Sequence, residues 1–284
     1  MHSFVPDRMP ALDPVAGALL GAELERLEGL GARQPYRSQG PWLEPAAVTL
    51  LDTAAEAGKV GRFQLASLEA GVAVLDRAGL MDAKGRLTAA GLTVTAPLAD
   101  PQGGLFINTG YLGRGSSLQM VLGTQDALLL AGASHADLTG PEPERHAGLL
   151  QLDLVSLNDV FPALAAWLGI APGWTAPAAP LEVSVEHLNR RLTDPDEPAP
   201  VQDAMWLRMW NEPWFLWHVS DGPEPDGDAG WGYIRAGRAG QHRVVVDGET
   251  ATLLPVGSSR AYRDLTSAVE GALLNGAGSP AAES

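Results

Sequence analysis

The chain contains no cysteine. Disulfides, thiolate metal sites and cysteine nucleophiles are therefore excluded. At 284 residues it needs no such staple, being long enough to bury one large core or two small ones. Basic residues are scarce: lysine occurs only at Lys59 and Lys84, and 19 basic residues stand against 34 acidic ones, a formal charge of -15. That balance argues against non-specific nucleic-acid binding, which needs cations to neutralise phosphate. It argues equally against anionic membrane surfaces. Long apolar runs are missing too, none approaching the roughly 20 residues a spanning helix requires, so no membrane insertion is expected. The opening MHSFVPDRMPALDP has no basic stretch leading into an apolar one, so no signal peptide is expected and the cytoplasm is the default location.

Chemistry-bearing motifs are equally thin. None of the six histidines (His2, His135, His146, His187, His218, His242) lies in an HxH or HExxH spacing, and no G-x-S-x-G occurs. His135 and His146 lie near Asp137, Glu142 and Glu144, where a solvated acidic loop is a simpler account than a metal site. Glu224, Asp226 and Asp228 among glycines lack the terminal Glu of a calcium loop. The loop GYLGRGSS, 110–117, is followed by a strand pattern rather than the helix that phosphate cradling needs. No catalytic residue, metal or cofactor is assigned.

What is present is periodic apolar patterning. Asp13, Pro14, then Leu19, Leu20, Leu24 and Leu27, then Gly29 predict a helix with its cap and its stop. A second helix runs from Pro45 to about Gly58 and a third over 63–79. That third helix, the turn DAKG and RLT resemble a winged-helix recognition helix and wing, though a helix with a short hairpin explains them as well. Glu69 and Asp76 against Arg77 suit a phosphate-facing helix poorly.

Strands are expected at LTVTAPL, GLFINTG, SLQMVLG, ALLLAGA and LLQLDLV, then a helix over NDVFPALAAWLG capped by Asn158 or Ser156. A Pro/Ala linker leads to LEVSVEHLNRRL, which begins extended and becomes helical. Strands at WGYIRAG, HRVVV and ATLLPV follow, the last two joined by a type I′ turn at Asp247–Gly248, before a closing helix.

The segment MWLRMWNEPWFLWHV, 205–219, holds four of the chain's eight tryptophans. Pro213 divides it. After the proline, the alternation of a strand apolar on both faces places Trp214 and Trp217 in a covered sheet. Before it, Trp206 and Trp210 lie at i and i+4 of a short helix with Met205 and Met209. Such a pair either packs in a core or marks a docking surface. Arg208, Asn211 and Glu212 would be the weak polar complement of a sugar-stacking site.

The two halves share a grammar. GRGSSLQMVLGTQDALLLAGAS aligns with GRAGQHRVVVDGETATLLPVGSS, followed by ADLT and RDLT, and WFLWHVS then takes the place of LTVTAPL. The expectation is an α+β fold: two pseudo-two-fold-related halves, a largely antiparallel sheet and helices packed on one face. The expected division is a tail and helix (1–39), a first half (40–140, winged-helix-like over 63–91), a second half (141–274) and a disordered tail (275–284).

LLQLDLVSLNDVFPALAAWLG, APGWTAPAAP, LEVSVEHL and then GWGYIRAG, HRVVV, TATLLPV and AYRDLTSAVEGAL resemble the EspG family over about 40–274. These are actinobacterial chaperones of type VII (ESX) secretion. The resemblance implies a cytosolic, non-catalytic protein that binds helical-hairpin secretion substrates and shields their apolar tips. Apolar residues in loop-proximal positions, namely Phe106, Tyr111, Leu112, Trp206 and Trp210, are the candidate partner contacts. The alternatives are a winged-helix DNA-binding regulator with a C-terminal effector or dimer module, which would need Arg62, Arg77, Lys84 and Arg86 on one face, and a small-molecule enzyme of unrecognised class.

Overall fold

The computed structural model describes residues 35–172, 178–220 and 231–276. The helix expected over 13–29, the acidic loop at 221–230 and the tail beyond 276 lie outside the described residues. The fold is α+β. Ten strands form one antiparallel sheet in the order β1-β5-β4-β3-β2-β7-β8-β9-β10-β6. They are β1 (Trp42–Leu43), β2 (Gly103–Tyr111), β3 (Arg114–Leu122), β4 (Asp126–Ala131), β5 (Leu150–Ser156), β6 (Leu181–Ser184), β7 (Trp214–Ser220), β8 (Trp231–Ala236), β9 (Gly240–Asp247) and β10 (Thr250–Val256). The helices are α1 (Pro45–Ala57), α2 (Arg62–Ser67), α3 (Glu69–Arg77), α4 (Ala89–Ala99), α5 (His135–Thr139), α6 (Val160–Trp167), α7 (Val185–Thr193), α8 (Ala204–Asn211) and α9 (Ser258–Gly276).

One element order occurs twice. An edge strand leads into helices, then a four-strand meander, then a helix: β1, α1–α4, β2–β5, α6, and again β6, α7–α8, β7–β10, α9. In each unit the edge strand pairs antiparallel with the last meander strand, β1 with β5 and β6 with β10. The units meet where β2 pairs with β7, from Phe106↔Ser220 to Tyr111↔Phe215.

This corrects the sequence alignment by one strand, since β2 corresponds to β7 and not to β8. The slip arose at LTVTAPL, which is not a strand but most of α4. Thr88 caps that helix by accepting from Gly91 N–H at 3.0 Å, and the hydroxyls of Thr93 and Thr95 donate to the carbonyls four residues back. Threonines that look β-forming in sequence are thereby accommodated in a helix. The paired ADLT and RDLT also fall on inequivalent helices: α5 interrupts β4–β5, whereas α9 follows β10. Strand β5, which the boundary at 140/141 placed in the second half, pairs with β4 along Asp126↔Ser156 to Ala131↔Gln151.

Helices cover both faces of the sheet, not one. On one face α5, α6 and α9 pack over the centre through Leu138, Leu164, Trp167, Leu265 and Val269, against Ile107, Leu118, Leu129, Phe215 and Trp217. Helix α9 lies so close on β2 that a Cβ at Gly103 would strike the Ala272 carbonyl. On the other face α1 and α3 cover the first unit through Leu50, Leu51 and Leu75. Helices α7 and α8 cover the second unit on that face through Leu188, Trp206, Met209 and Trp210.

Three local expectations change. The helix expected over 63–79 breaks at Leu68 (φ -126, ψ 34) into α2 and α3. The segment that follows does form a small wing, with bridges Lys59↔Arg86 and Met81↔Leu87. The β9–β10 turn has positive φ at Gly248 but not at Glu249, the II′ pattern rather than I′. Helix α6 takes Asp159 as its N-cap residue, and Ser156 instead donates to the Asp159 carboxylate at 2.7 Å.

Trp217 is fully buried and stacks on Tyr233 at 4.7 Å, and the Tyr233 hydroxyl donates to Asp264 of α9 at 2.6 Å. This stack ties the seam strand β7 to the closing helix, so Trp217→Ala should lower unfolding free energy by about 3–5 kcal/mol in denaturant titration. A pH effect follows from one buried histidine, His242, and one half-buried histidine, His135. Burial pushes the imidazoles of His242 and His135 down to about 4 and about 3, below the ordinary value near 6.5. The unfolded chain therefore takes up these protons first. Stability is full above about pH 6.5 and falls as pH drops toward 4. His242→Gln should flatten that slope in urea midpoints measured across this window.

Candidate partner-binding site

The β2–β3 hairpin ends in a two-residue turn, Leu112–Gly113, with φ 47 and 77. Positive φ at both positions is the I′ pattern, whose twist suits a two-residue hairpin and which Asn-Gly normally fills. Leu112 is the one non-glycine with positive φ among the described residues. Its left-handed conformation costs about 1–2 kcal/mol. The side chain is nonetheless left 44% exposed. A strained backbone carrying an exposed apolar side chain points from geometry toward function.

The hairpin tip stands over the end of α7. Tyr111, Leu112, Leu192, Pro195 and Leu216 line a cleft of about 120 Å³ whose back wall is Trp214 and Arg191. Arg191 is 3% exposed, and its guanidinium lies 4.5 Å from the Trp214 ring centroid. It donates to the Trp210 carbonyl at 3.0 and 2.7 Å and to the Glu212 carbonyl at 2.9 Å. Desolvation lowers its pKa, with the carboxylates of Asp194 and Asp196 opposing. These bonds lock α7 to the turn between α8 and β7. Leu188 and Arg191 are i,i+3 neighbours and both buried. That placement of an arginine on the apolar face of α7 is the sequence signal for this lock.

The five sequence candidates separate. Tyr111 and Leu112 come together at the cleft. Phe106 is half-buried on the same sheet face as Asn108, which approaches His218 across the seam at 3.4 Å. Trp206 and Trp210 are corrected: they are 5% and 1% exposed and belong to the core beneath α8. Their indole N–H groups donate to the carbonyls of Ala179 and Glu197 at 3.1 and 2.8 Å, so the rings pin loops and present nothing to a partner. The helix shows Met205 to solvent instead.

Among the described residues no group of three histidine, aspartate or glutamate side chains could hold a metal. His135 and His146 diverge, the first packing edge-on against Phe215 beside Arg235 and the second stacking on Trp42 at 4.0 Å. Among the described residues no helix is long and apolar enough to cross a membrane.

Neither a family model nor a curated protein matches the chain. One solved structure with a distant likeness is that of the Mycobacterium tuberculosis type VII secretion system chaperone EspG5 in complex with a PE25–PPE41 dimer. It is 9% identical with a TM-score of 0.45, covering 87% of this chain and 99% of that one.

Leu112→Asn should raise unfolding free energy by about 1 kcal/mol, because asparagine tolerates the left-handed turn. Arg191→Met should lower it by about 3 kcal/mol by stranding two buried carbonyls. Chemical denaturation of the two variants checks both signs.

Proposed function

We propose that the protein is a cytosolic, non-catalytic chaperone or adaptor that binds a helical protein segment at the β2–β3 tip and the cleft beneath it. The observation that carries this reading is Leu112, an exposed apolar side chain held at a strained turn beside Leu192, Pro195 and Leu216. A hairpin needing only to turn would place Asn or Gly there. Apolar side chains lining a shallow cleft suit the anchors of an amphipathic helix, as in helix-in-groove recognition. The sequence resemblance to the EspG family supports a helical-hairpin substrate of a type VII-like secretion system as that partner. We propose further that the two structural units divide near the linker at 171–180, after α6.

A second reading rests on the small wing of residues 59–87. Arg77, Lys84 and Arg86 are exposed there, but so are Glu69 and Asp76 on α3, and Asp82 holds the wing turn by accepting from the amides of Lys84 and Arg86. This mixed charge suits phosphate contact poorly. Fluorescence anisotropy with duplex DNA distinguishes the two readings, since salt-sensitive binding would favour the second.

The first reading is tested by isolating a helical partner from the native host and titrating it against purified variants. Leu112→Asp should weaken binding by about tenfold or more with the fold intact by circular dichroism, and Leu112→Asn should weaken it while raising stability. Unchanged affinity in both variants would refute the site.

A further inference from the structure

The arginine at the back of the cleft has a donor to spare. Arg191 is 3% exposed, so its charge is almost wholly out of water. Nε and Nη2 are committed to the carbonyls of Trp210 and Glu212. Nη1 makes no hydrogen bond among the described residues, yet it is not sealed away either. The opening that Arg191 lines is the cleft. A buried guanidinium with open N–H donors is costly unless an acceptor reaches it. A partner that fills the cleft must therefore bring one. We propose that Nη1 of Arg191 receives main-chain carbonyls from the C-terminal end of a partner helix, whose last turn enters the cleft end-on with one apolar side chain. This rests on the reading of the cleft as the docking site for a helical segment.

Three observations select that ligand. The cleft holds about 120 Å³, too little for a helix laid lengthwise, which is about 10–12 Å across with its side chains. A helix end fits better, and its last carbonyls have no partner within the helix. They also carry the negative end of the helix dipole, and arginine is a common partner for them. The charge around Nη1 argues for a neutral acceptor. Asp194 and Asp196 are exposed on either side of Pro195, a cleft residue, and both carboxylates act on Arg191. They oppose a second carboxylate at the same nitrogen, whereas a peptide carbonyl brings only partial charge. The apolar walls, Leu112, Leu192 and Leu216, take the side chain.

Two acetylated, amidated Ala/Lys/Gln helical peptides of about 15 residues serve as probes. One has its single leucine in the last turn and the other in the first. Each is titrated into the full chain, labelled at arginine nitrogen and leucine methyl, and followed by NMR. The probe ending in leucine should move the Nη1 protons of Arg191 downfield and leave its Nε proton, held by the Trp210 carbonyl, in place. It should bind about tenfold tighter than the reversed probe. The same peptide with a free C-terminal carboxylate should bind more weakly than the amide, and Asp194→Asn/Asp196→Asn should erase that difference. Shifts of the Leu112 and Leu192 methyls without an Nη1 response, or equal binding in both orientations, would overturn carbonyl capture while leaving the cleft as a docking site. Tighter binding of the carboxylate form would overturn the neutral acceptor. No response at Nη1 or at the methyls would overturn both readings.

Discussion

The fold depends on the antiparallel pairing of β2 with β7. Each unit alone would end in an open strand edge at this seam, with unpaired backbone groups. Joined, the two edges satisfy each other and one sheet runs unbroken across ten strands. The seam also aligns the inner faces, setting Ile107 beside Val219 and Thr109 beside Trp217. The central core under α6 and α9 thus draws side chains from both units. The seam also brings the β2–β3 hairpin of the first unit over α7 of the second, so that Leu112 and Leu192 line the same cleft. Neither unit alone contains that cleft.

The tryptophans show how this division of labour is built. Trp214 and Trp217 alternate across β7, the first facing α8 and the second facing α6 and α9. Trp206, Trp210 and Trp214 each spend the indole N–H on a backbone carbonyl, those of Ala179, Glu197 and Met209. Long irregular connections on either side of α7 and α8 are thereby fixed to the sheet. Arg191 completes the arrangement by stacking on Trp214 and binding the carbonyls that end α8. A buried arginine bonded in this way orients the elements that border the cleft.

Much of the architecture was legible where pattern and capping agreed. Pro45 and the αL residue Gly58 bound α1, LEVS passes from strand to helix at the Ser184 cap, and Pro213 separates α8 from β7. Reading failed where a residue's local preference was overruled. The threonines of α4 look extended but bond back to their own helix. Trp206 and Trp210 lie on a short loop-flanked helix, and only the position of β6, β9 and β10 beneath them shows that they are covered. In the sequence Leu112 stands out only as an apolar residue near a loop, because a sequence does not display a positive φ on leucine.

Methyl-resolved NMR of the protein titrated with its helical partner tests the central claim most directly, because it reports the contact surface without perturbing it. The account predicts that the methyl signals of Leu112, Leu192 and Leu216 shift together, while those of Leu50 and Leu129, buried in separate cores, stay in place. Saturable binding that leaves the three cleft leucines unmoved would contradict it.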